Sequence, residues 1–291
     1  MQLKKISVSG GICALACMSA LFLGACTRKE EPKKTAQTST QQAHDTLAKI
    51  KEKKVLTVGV KADTPPYGFI PQGKSEPEGF DIDIAKQIAK RMGVKLNMVV
   101  VTSANRIANL TTGKVDMLAS SLVHTRARDK VIDYSVTYFA DSQKILVPEG
   151  SSIKDLDDLA GKTVAVGQGS IQEQMIKKLQ PKAKILSLAK WSDTLQALST
   201  HQAEAIFSAA GVLGQLKKTA AEAGLNLKMV GKDGLEPIPY AIGVRQGDAA
   251  LRDEVDFLLM SMVDDGTYKK IFEKWWGEIY SQPYKVEVWP K

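Results

Sequence analysis

Cysteine and histidine are scarce in this chain. The three cysteines all lie within the first 26 residues, so the chain beyond residue 26 can form neither a disulfide nor a cysteine-based metal site. The three histidines are far apart in sequence and lack the spacing of metal ligands. We therefore expect no metal and no cofactor.

Aromatic residues and long charged runs are also few. Phe, Trp and Tyr make up 6% of the 291 residues, and the excess of 40 Lys and Arg over 32 Asp and Glu is scattered. A scattered excess is typical of a mildly basic, solvated surface and does not favour nucleic-acid binding. With 44% hydrophobic and 25% charged residues, the chain is not collagen-like, disordered or coiled-coil. Its length fits one large domain or two small ones.

The N-terminal segment has the features of an export signal. Two lysines precede an apolar stretch from Ile12 to Leu23, which is too short to span a bilayer comfortably. Its end, Leu23-Gly24-Ala25-Cys26, resembles the bacterial lipoprotein signal, in which the cysteine is lipidated and becomes the new N-terminus. The resemblance implies a signal peptide over 1–25 and a lipid on Cys26. An ordinary signal peptide or an anchor helix is the alternative.

The composition of the segment 26–46 predicts that the lipidated cysteine is followed by a flexible tether. From Thr27 to about His44 it contains almost nothing apolar and cannot bury a core. Eighteen flexible residues span about 23 Å on average. The folded body would then lie close to a membrane, held there through the lipid anchor only.

The next part of the chain predicts a β-α-β unit. The run 55–60 is short and β-branched, which indicates a buried strand. The segment 79–93 has apolar residues at helical spacing, acids at its start, bases at its end and a terminal glycine. A second strand follows from Lys95 to Val101. Such units imply a mostly parallel sheet with helices on its faces.

The pattern then restarts and predicts a second α/β lobe. A strand over 163–166 leads into the loop Gly167-Gln168-Gly169-Ser170, which opens a helix. The extended stretches 143–147 and 238–244 are interpreted as two strands that cross between the lobes and form a hinge. Two helices over 249–277 are expected to pack back on the first lobe.

These boundaries define the expected domain organisation. Lobe 1 is discontinuous and comprises 47–142 and 240–280, whereas 143–239 form lobe 2 with the hinge strands. The segment 281–291 is a C-terminal tail. A ligand is expected in the cleft between the lobes, at the carboxyl ends of the strands.

From about residue 47 to residue 277 the chain resembles the bacterial extracellular solute-binding proteins of ABC importers, the polar amino-acid group. The most specific resemblance is Gly79-Phe80-Asp81-Ile82-Asp83-Ile84-Ala85 at the start of the first long helix. Further similar motifs are Pro65-Pro66-Tyr67-Gly68-Phe69, Lys114-Val115-Asp116, Thr125-Arg126-Ala127-Arg128 and Val131-Ile132-Asp133-Tyr134-Ser135.

This resemblance implies a two-lobed α/β fold of the type II periplasmic-binding-protein kind. It also implies an exported, monomeric binding protein that performs no chemistry. Its partners would be a small polar amino acid or dicarboxylate and a membrane permease. The protein would be anchored at the outer face of the plasma membrane or in the periplasm.

The resemblance also assigns binding residues in the first lobe. In the family, an arginine after a Ser/Thr-rich turn grips the α-carboxylate of the ligand. Here the turn spans 120–125, with Ser121 and Val123, and the arginine is Arg128, with Arg126 as the nearby alternative. A guanidinium suits a carboxylate because it donates two parallel hydrogen bonds.

Two further assignments come from the same resemblance. Tyr67 matches an aromatic residue that walls the ligand pocket, with packing inside its own lobe as the alternative. Gly169 and Ser170 match a second-lobe loop whose backbone N–H groups cap the carboxylate, and a loop that opens a helix suits an anion.

The ligand class is predicted from three departures and two extra cations. Val123 and Ile171 replace hydroxyl residues of many relatives, and Ala209 replaces the acid that pairs with the α-ammonium of amino acids. Lys61 and Arg106 match positions at which glutamate and aspartate binders hold the side-chain carboxylate, with exposed charges as the alternative. We therefore expect an acidic ligand, with or without an α-amino group.

Two other functions remain open from the sequence. Some dehydratases share this fold, and Glu173, on the helix after the anion-binding loop, could serve as a proton donor. A surface receptor or adhesin without a transport role is the second alternative.

The lipoprotein interpretation predicts the behaviour of one variant. Cys26→Ser should release the protein from membranes or block its processing, because several acyl chains are needed for stable anchoring and none could be attached. Membrane fractionation and lipid labelling measure this. Unchanged labelling and fractionation of the variant would contradict the prediction.

Overall fold

The computed structural model describes residues 45–231, 235, 237–280 and 284–285. The expected signal peptide, Cys26, the tether up to residue 44 and most of the tail lie outside the described residues. The helices are α1 (Thr46–Lys53), α2 (Phe80–Arg91), α3 (Arg106–Thr111), α4 (Ile171–Leu179), α5 (Trp191–Ser199), α6 (Ala210–Glu222), α7 (Ala249–Asp264) and α8 (Thr267–Trp276). None of the described helices is long and apolar enough to cross a bilayer.

The strands form two larger sheets and two short pairs. They are β1 (Val55–Val60), β2 (Asp63–Thr64), β3 (Gly68–Phe69), β4 (Lys95–Val100), β5 (Met117–Ala119), β6 (Ile132–Tyr134), β7 (Phe139–Asp141), β8 (Gln143–Pro148), β9 (Thr163–Gly167), β10 (Lys184–Leu188), β11 (Ala205–Ala209), β12 (Leu227–Val230), β13 (Ile238–Tyr240) and β14 (Gly243–Arg245). The segment expected to be tether therefore ends inside α1, which begins at Thr46.

Each of the two five-stranded sheets has four strands in one direction and one in the other. The first has the order β4-β1-β5-β14-β6, in which β14 is antiparallel to both neighbours. The second has the order β10-β9-β11-β8-β12, in which β8 is antiparallel to both neighbours. The two sheets with their helices are the two α/β lobes expected from the sequence.

Helix α2 packs in the first lobe and begins at a strained turn. Gly79, which precedes it, has a φ of 145°, and a Cβ there would clash with the backbone of Tyr67. Only glycine fits this position without strain. The apolar stripe of α2, which includes Ile84 and Ile88, is fully buried. The sequence pattern predicted both the helix and its start.

The C-terminal helices are fastened to α2 by polar contacts. Arg91 Nη1 donates to Ser261 Oγ of α7 at 2.9 Å, and Arg91 Nη2 lies 2.6 Å from Asp265 Oδ2. At the other end of α2, the indole N–H of Trp275 donates to Asp83 Oδ2 at 2.8 Å. Helices α7 and α8 therefore belong to the first lobe, although they follow the second in sequence.

Two strands cross between the lobes, and one of them differs from the sequence expectation. The crossing strands are β7 and β13, which pair antiparallel with Tyr240 opposite Phe139. The segment 143–147, expected to cross, instead lies inside the second sheet as part of β8. Strand β8 pairs with β11 on one side and β12 on the other. Its residues Ile145, Leu146 and Val147 are all buried, so both faces of the sheet are covered at this strand.

An aromatic cluster surrounds the crossing strands. The ring of Phe139 stacks on Trp276 of α8 at 4.3 Å, and Tyr67 stacks on Tyr240 at 4.9 Å. Helix α6 of the second lobe begins against this cluster, since a Cβ on Gly211 would clash with the Trp276 ring. A residue of the second lobe is thus in van der Waals contact with a helix of the first.

This contact predicts opposite outcomes for two glycines of the same helix. Gly211→Ala should destabilise the fold by about 1–3 kcal/mol, because the new methyl group overpacks the Trp276 ring. Gly214→Ala is the matched control, since its Cβ would lie 3.8 Å from Ile279 Cδ1, an ordinary contact. The control should keep or raise the melting temperature, because alanine favours helix over glycine.

Thermal unfolding followed by circular dichroism measures both variants. At about 2–4 °C per kcal/mol for a body of this size, Gly211→Ala should lower the melting temperature by several degrees. Equal melting temperatures for the two variants would show that the Trp276 ring does not restrict this position.

Candidate functional site

A small cavity lies between the two lobes, where strands of both sheets end. It has a volume of about 20 Å³. Its walls follow the carboxyl ends of β1 and β5 in the first lobe and of β9 and β11 in the second, which is where α/β folds bind ligands. The lining residues are Thr64, Tyr67, Ser103, Arg106, Ser121, Val123, Ser170, Ile171, Gln172, Trp191, Ser208, Ala209, Val212 and Tyr240.

Arg106 is the cation that lines this cavity. It lies at the start of α3 and is 2% exposed. Its Nη1 donates to the carbonyl oxygens of Ser120 and Ser121, and its buried Nε has no partner among the described residues. Burial, reinforced by the nearby charge of Arg128, lowers the pKa of Arg106 to about 9. The guanidinium is therefore still charged at neutral pH.

Asp81 holds the turn beneath Arg106. Its Oδ2 accepts the backbone N–H of Ser121 at 2.6 Å, and its Oδ1 accepts the hydroxyl of Tyr138 at 2.7 Å. Burial raises the pKa of Asp81 to about 6, although these two hydrogen bonds oppose the shift. Ser121 itself has a φ of 47°, so this hydrogen bond fixes a left-handed turn that directs its carbonyl toward Arg106.

Two of the predicted cations are placed outside the cavity lining. Lys61 is 1% exposed, and its Nζ lies 2.8 Å from Asp63 Oδ1. Arg128 is 9% exposed, and its Nη1 donates to the carbonyl of Val123 at 2.9 Å. Burial lowers the pKa of both groups. Lys61 is thus paired with an acid inside its own lobe, whereas Arg128 supports the wall formed by Val123.

The loop before α4 closes the cavity from the second lobe. Ser170 caps the helix, since its Oγ accepts the N–H of Glu173 at 3.2 Å, and Ser170 and Ile171 line the cavity. The N–H of Gly169 does not point to the cavity, because it donates to Glu173 Oε2 at 2.8 Å. Gly169 has a φ of 71°, and its Cβ would lie 2.7 Å from Ala104 Cα of the first lobe. Glycine here allows the lobes to approach.

Glu173 is not arranged as a proton donor. Its Oε1 lies 2.8 Å from Lys177 Nζ and accepts the hydroxyl of Ser187 at 2.9 Å. Burial alone would raise the pKa of Glu173, but the hydrogen bonds from Lys177, Gly169 and Ser187 outweigh it and lower the pKa. An acid with a lowered pKa is ionised at neutral pH and has no proton to donate.

The second lobe contributes polar groups that sequence reasoning missed. Ser208, next to Ala209, is fully buried, and its hydroxyl has no partner among the described residues. The amide of Gln172 is fixed by a hydrogen bond from its Nε2 to Gln143 Oε1 at 2.8 Å. Trp191 and Tyr240 add aromatic walls. No local motif marks these residues, since they reach the cavity from separate elements.

Of the residues predicted for the site, the cavity brings together Tyr67, Arg106, Ser121, Val123 and Ser170. The lining of this cavity includes no carboxylate. In the described part of the chain, no three His, Cys, Asp or Glu residues cluster as a metal site would require. The arrangement therefore offers a buried guanidinium, hydroxyl and amide groups, and the N-terminal end of α4, which attracts anions.

Comparison with known proteins identifies the family of this two-lobed fold. The family model described as bacterial extracellular solute-binding proteins, family 3, matches residues 56–278. The chain is 34% identical over 265 residues to the "ABC transporter glutamine-binding protein GlnH" of Bacillus subtilis (strain 168), which covers 90% of this chain and 94% of that protein.

Two solved structures are similar throughout the body. An ancestral arginine-binding protein bound to glutamine is 37% identical, with a TM-score of 0.73 over 77% of this chain and 98% of that one. The ancestral amino acid-binding protein AncCDT-1, a precursor of cyclohexadienyl dehydratase, is 33% identical, with a TM-score of 0.72 over 79% of this chain and 99% of that one. With its two α/β lobes and interlobe cavity, this chain belongs to the bacterial extracellular solute-binding proteins of family 3.

Proposed function

We propose that this protein captures an acidic amino acid or a related dicarboxylate between its lobes and delivers it to an ABC permease. The observation that carries this proposal is the charge of the cavity lining, which includes the buried guanidinium of Arg106 and no carboxylate. At the opposite wall the N-terminal end of α4 contributes Ser170 and Ile171, and its partial positive charge is shared with the carboxylate of Glu173. An anion is the ligand that balances these charges.

The same lining bears on whether the ligand carries an α-amino group. Ala209 offers no charge at the position where the family resemblance predicts an acid, and the two buried acids that contact lining residues are already engaged. Asp81 accepts hydrogen bonds from Ser121 and Tyr138, and Asp141 accepts them from Tyr67 and Gly211. An ammonium in this cavity would lack a charged partner, which is costly in a buried site. Amine-free dicarboxylates are therefore included in the proposed ligand class.

Ligand entry requires the lobes to part. A cavity of about 20 Å³ is close to the room that one water molecule needs, far less than an amino acid occupies. The two crossing strands β7 and β13 are the natural hinge, because a few backbone dihedral changes there can separate the lobes. In this proposal the lobes close on the ligand, and the closed form is the one that docks on the permease.

The similar proteins support an amino-acid-type ligand without fixing its charge, since their names refer to glutamine and arginine. The similarity to a precursor of cyclohexadienyl dehydratase is the observation that favours the alternative function, a dehydratase on the same fold. The ionised Glu173 does not favour that alternative. We further propose a monomer that is held at the cell envelope by a lipid on Cys26.

The ligand class predicts which compounds stabilise the protein. Glutamate, aspartate and amine-free dicarboxylates should raise the melting temperature, whereas lysine, arginine and histidine should not, because Arg106 would repel their cationic groups. At 100 times the dissociation constant a ligand adds roughly 2.7 kcal/mol. At about 2–4 °C per kcal/mol, the shift should be about 5–10 °C.

Glutamate and glutarate form a matched pair in this screen, since they differ only in the amino group. Glutarate should stabilise the protein at least as strongly as glutamate if Ala209 leaves the ammonium without a partner. A clear shift with a basic or neutral amino acid, and none with any dicarboxylate, would contradict the proposed ligand class.

Two arginine variants test the positions of the cations. Arg106→Gln should weaken binding of the ligand identified in the screen by about 2–5 kcal/mol, because a buried ligand charge loses its partner. Arg128→Ala should weaken binding as well, because the carbonyl of Val123 loses the guanidinium that holds it in the cavity wall. Arg126→Ala is the matched control, since Arg126 is exposed and lies two residues before Arg128.

Isothermal titration calorimetry measures the affinities, and circular dichroism confirms that each variant is folded. Affinity near that of the unmodified protein in a folded Arg128→Ala variant would show that binding does not depend on the contact between Arg128 and Val123. The same result for Arg106→Gln would remove the cation on which the proposal depends.

A further inference from the structure

A second cavity lies at the opposite end of the first sheet from the ligand cleft. It has a volume of about 490 Å³ and lies between α1, the beginning of β1 and the end of α3. The cleft follows the carboxyl end of β1, whereas this cavity contacts Val55 and Thr57 at its amino end. We call it the α1 pocket.

Three lysines of the α1 pocket have no acidic partner. Lys49 and Lys53 lie one turn apart on α1, and Lys114 follows α3 on the other side. None of the three forms an ion pair with any described residue, whereas Lys51, on another face of α1, lies 3.7 Å from Glu254. Like charges at i and i+4 oppose helix formation. All three lysines are exposed, and no ion pair among the described residues neutralises the positive charge that they bring to this pocket.

The floor of the α1 pocket is held by hydrogen bonds and has no excess negative charge. Arg245 Nη1 donates to the carbonyl of Val115 at 2.7 Å, and its Nη2 donates to Thr46 Oγ1 at 2.8 Å. Asp116 is the carboxylate among the lining residues, and it is engaged twice. Its Oδ1 lies 3.6 Å from Arg245 Nη2, and its Oδ2 accepts the N–H of Thr57 at 2.9 Å.

We propose that the α1 pocket binds a phosphate-type oxyanion. The charge of Asp116 is matched by Arg245, so the three lysines leave the pocket with a net positive charge. Lysine ammonium groups bind phosphate as point charges, and one oxyanion can bridge several of them. This site is separate from the cleft and does not depend on the function proposed above.

Two sources can supply this group, free phosphate or the headgroup of an anionic phospholipid. The headgroup is a candidate source because α1 follows the predicted tether and the predicted lipid site at Cys26 in sequence. Both sources present the same chemistry to the lysines, and separate probes distinguish them.

The test uses the chain from residue 26 with Cys26→Ser, so that neither an acyl group nor the apolar stretch 12–23 of the predicted signal peptide holds it to lipid. One arm titrates inorganic phosphate by calorimetry at low salt. The other measures co-sedimentation with phosphatidylglycerol vesicles against phosphatidylcholine vesicles. Lys49→Gln, Lys53→Gln and Lys114→Gln are combined in the test variant. Lys90→Gln, Lys217→Gln and Lys218→Gln form the control, with the same loss of charge at exposed positions outside the α1 pocket.

We expect the test variant to lose binding and the control to keep it. The loss should be at least tenfold for inorganic phosphate or of the order of a hundredfold for anionic vesicles, since each lysine near an anionic surface contributes a several-fold factor. Loss in the vesicle arm alone identifies the phospholipid headgroup, and loss in the phosphate arm identifies the free anion. Circular dichroism and binding of the cleft ligand should be unchanged in both variants.

The proposal is overturned if the unmodified pocket binds neither probe. It is also overturned if the test and control variants lose binding equally, because that result shows an effect of net charge alone. Failure of the cleft ligand screen would leave this outcome unaffected, since the two sites lie at opposite ends of the sheet.

Discussion

A buried carboxylate on the first crossing strand connects three parts of the molecule. Asp141 accepts hydrogen bonds from the hydroxyl of Tyr67 at 3.0 Å, from the hydroxyl of Tyr280, and from the N–H of Gly211 at 3.2 Å. These donors come from a first-lobe loop, the end of the C-terminal segment and the start of a second-lobe helix. Burial raises the pKa of Asp141 to about 6, against the effect of these hydrogen bonds. Because its partners are neutral, the acid orders the hinge without a buried counter-charge.

The cleft depends on a second buried acid in a comparable way. Asp81, at the start of α2, accepts a hydrogen bond from the backbone N–H of Ser121. The carbonyl of Ser121 in turn accepts a hydrogen bond from the guanidinium of Arg106. The acid therefore positions the cation through the backbone and leaves part of the guanidinium available to the cavity. Lys61 is treated differently, since its charge is paired directly with Asp63. Of these two buried cations, only Arg106 lines the cavity described here.

Much of the local structure could be predicted from the sequence. The helix over 79–93, the strand over 55–60 and the loop that opens α4 each have a local physical signal, whether periodicity, β-branched composition or a capping residue. The family motifs placed Tyr67 and Arg106 at the cleft. Helix α6 was not predicted, because its two glycines, Gly211 and Gly214, weaken the helical pattern. Glycine is required at position 211 because any larger side chain would clash with the Trp276 ring.

The sequence by itself determined the two-lobed α/β architecture, since the periodicity that marks its helices and strands is a local property of the chain. Only the tertiary structure decided the partners of the charged groups. The ammonium of Lys61 forms an ion pair with Asp63, and the N–H of Gly169 donates a hydrogen bond to Glu173. Neither the Lys61 ammonium nor the Gly169 N–H is therefore directed at the cavity. Ser208 and Trp191 line the cleft from separate elements. Such contacts depend on the closing of long loops and on packing, and no local pattern in the sequence encodes them.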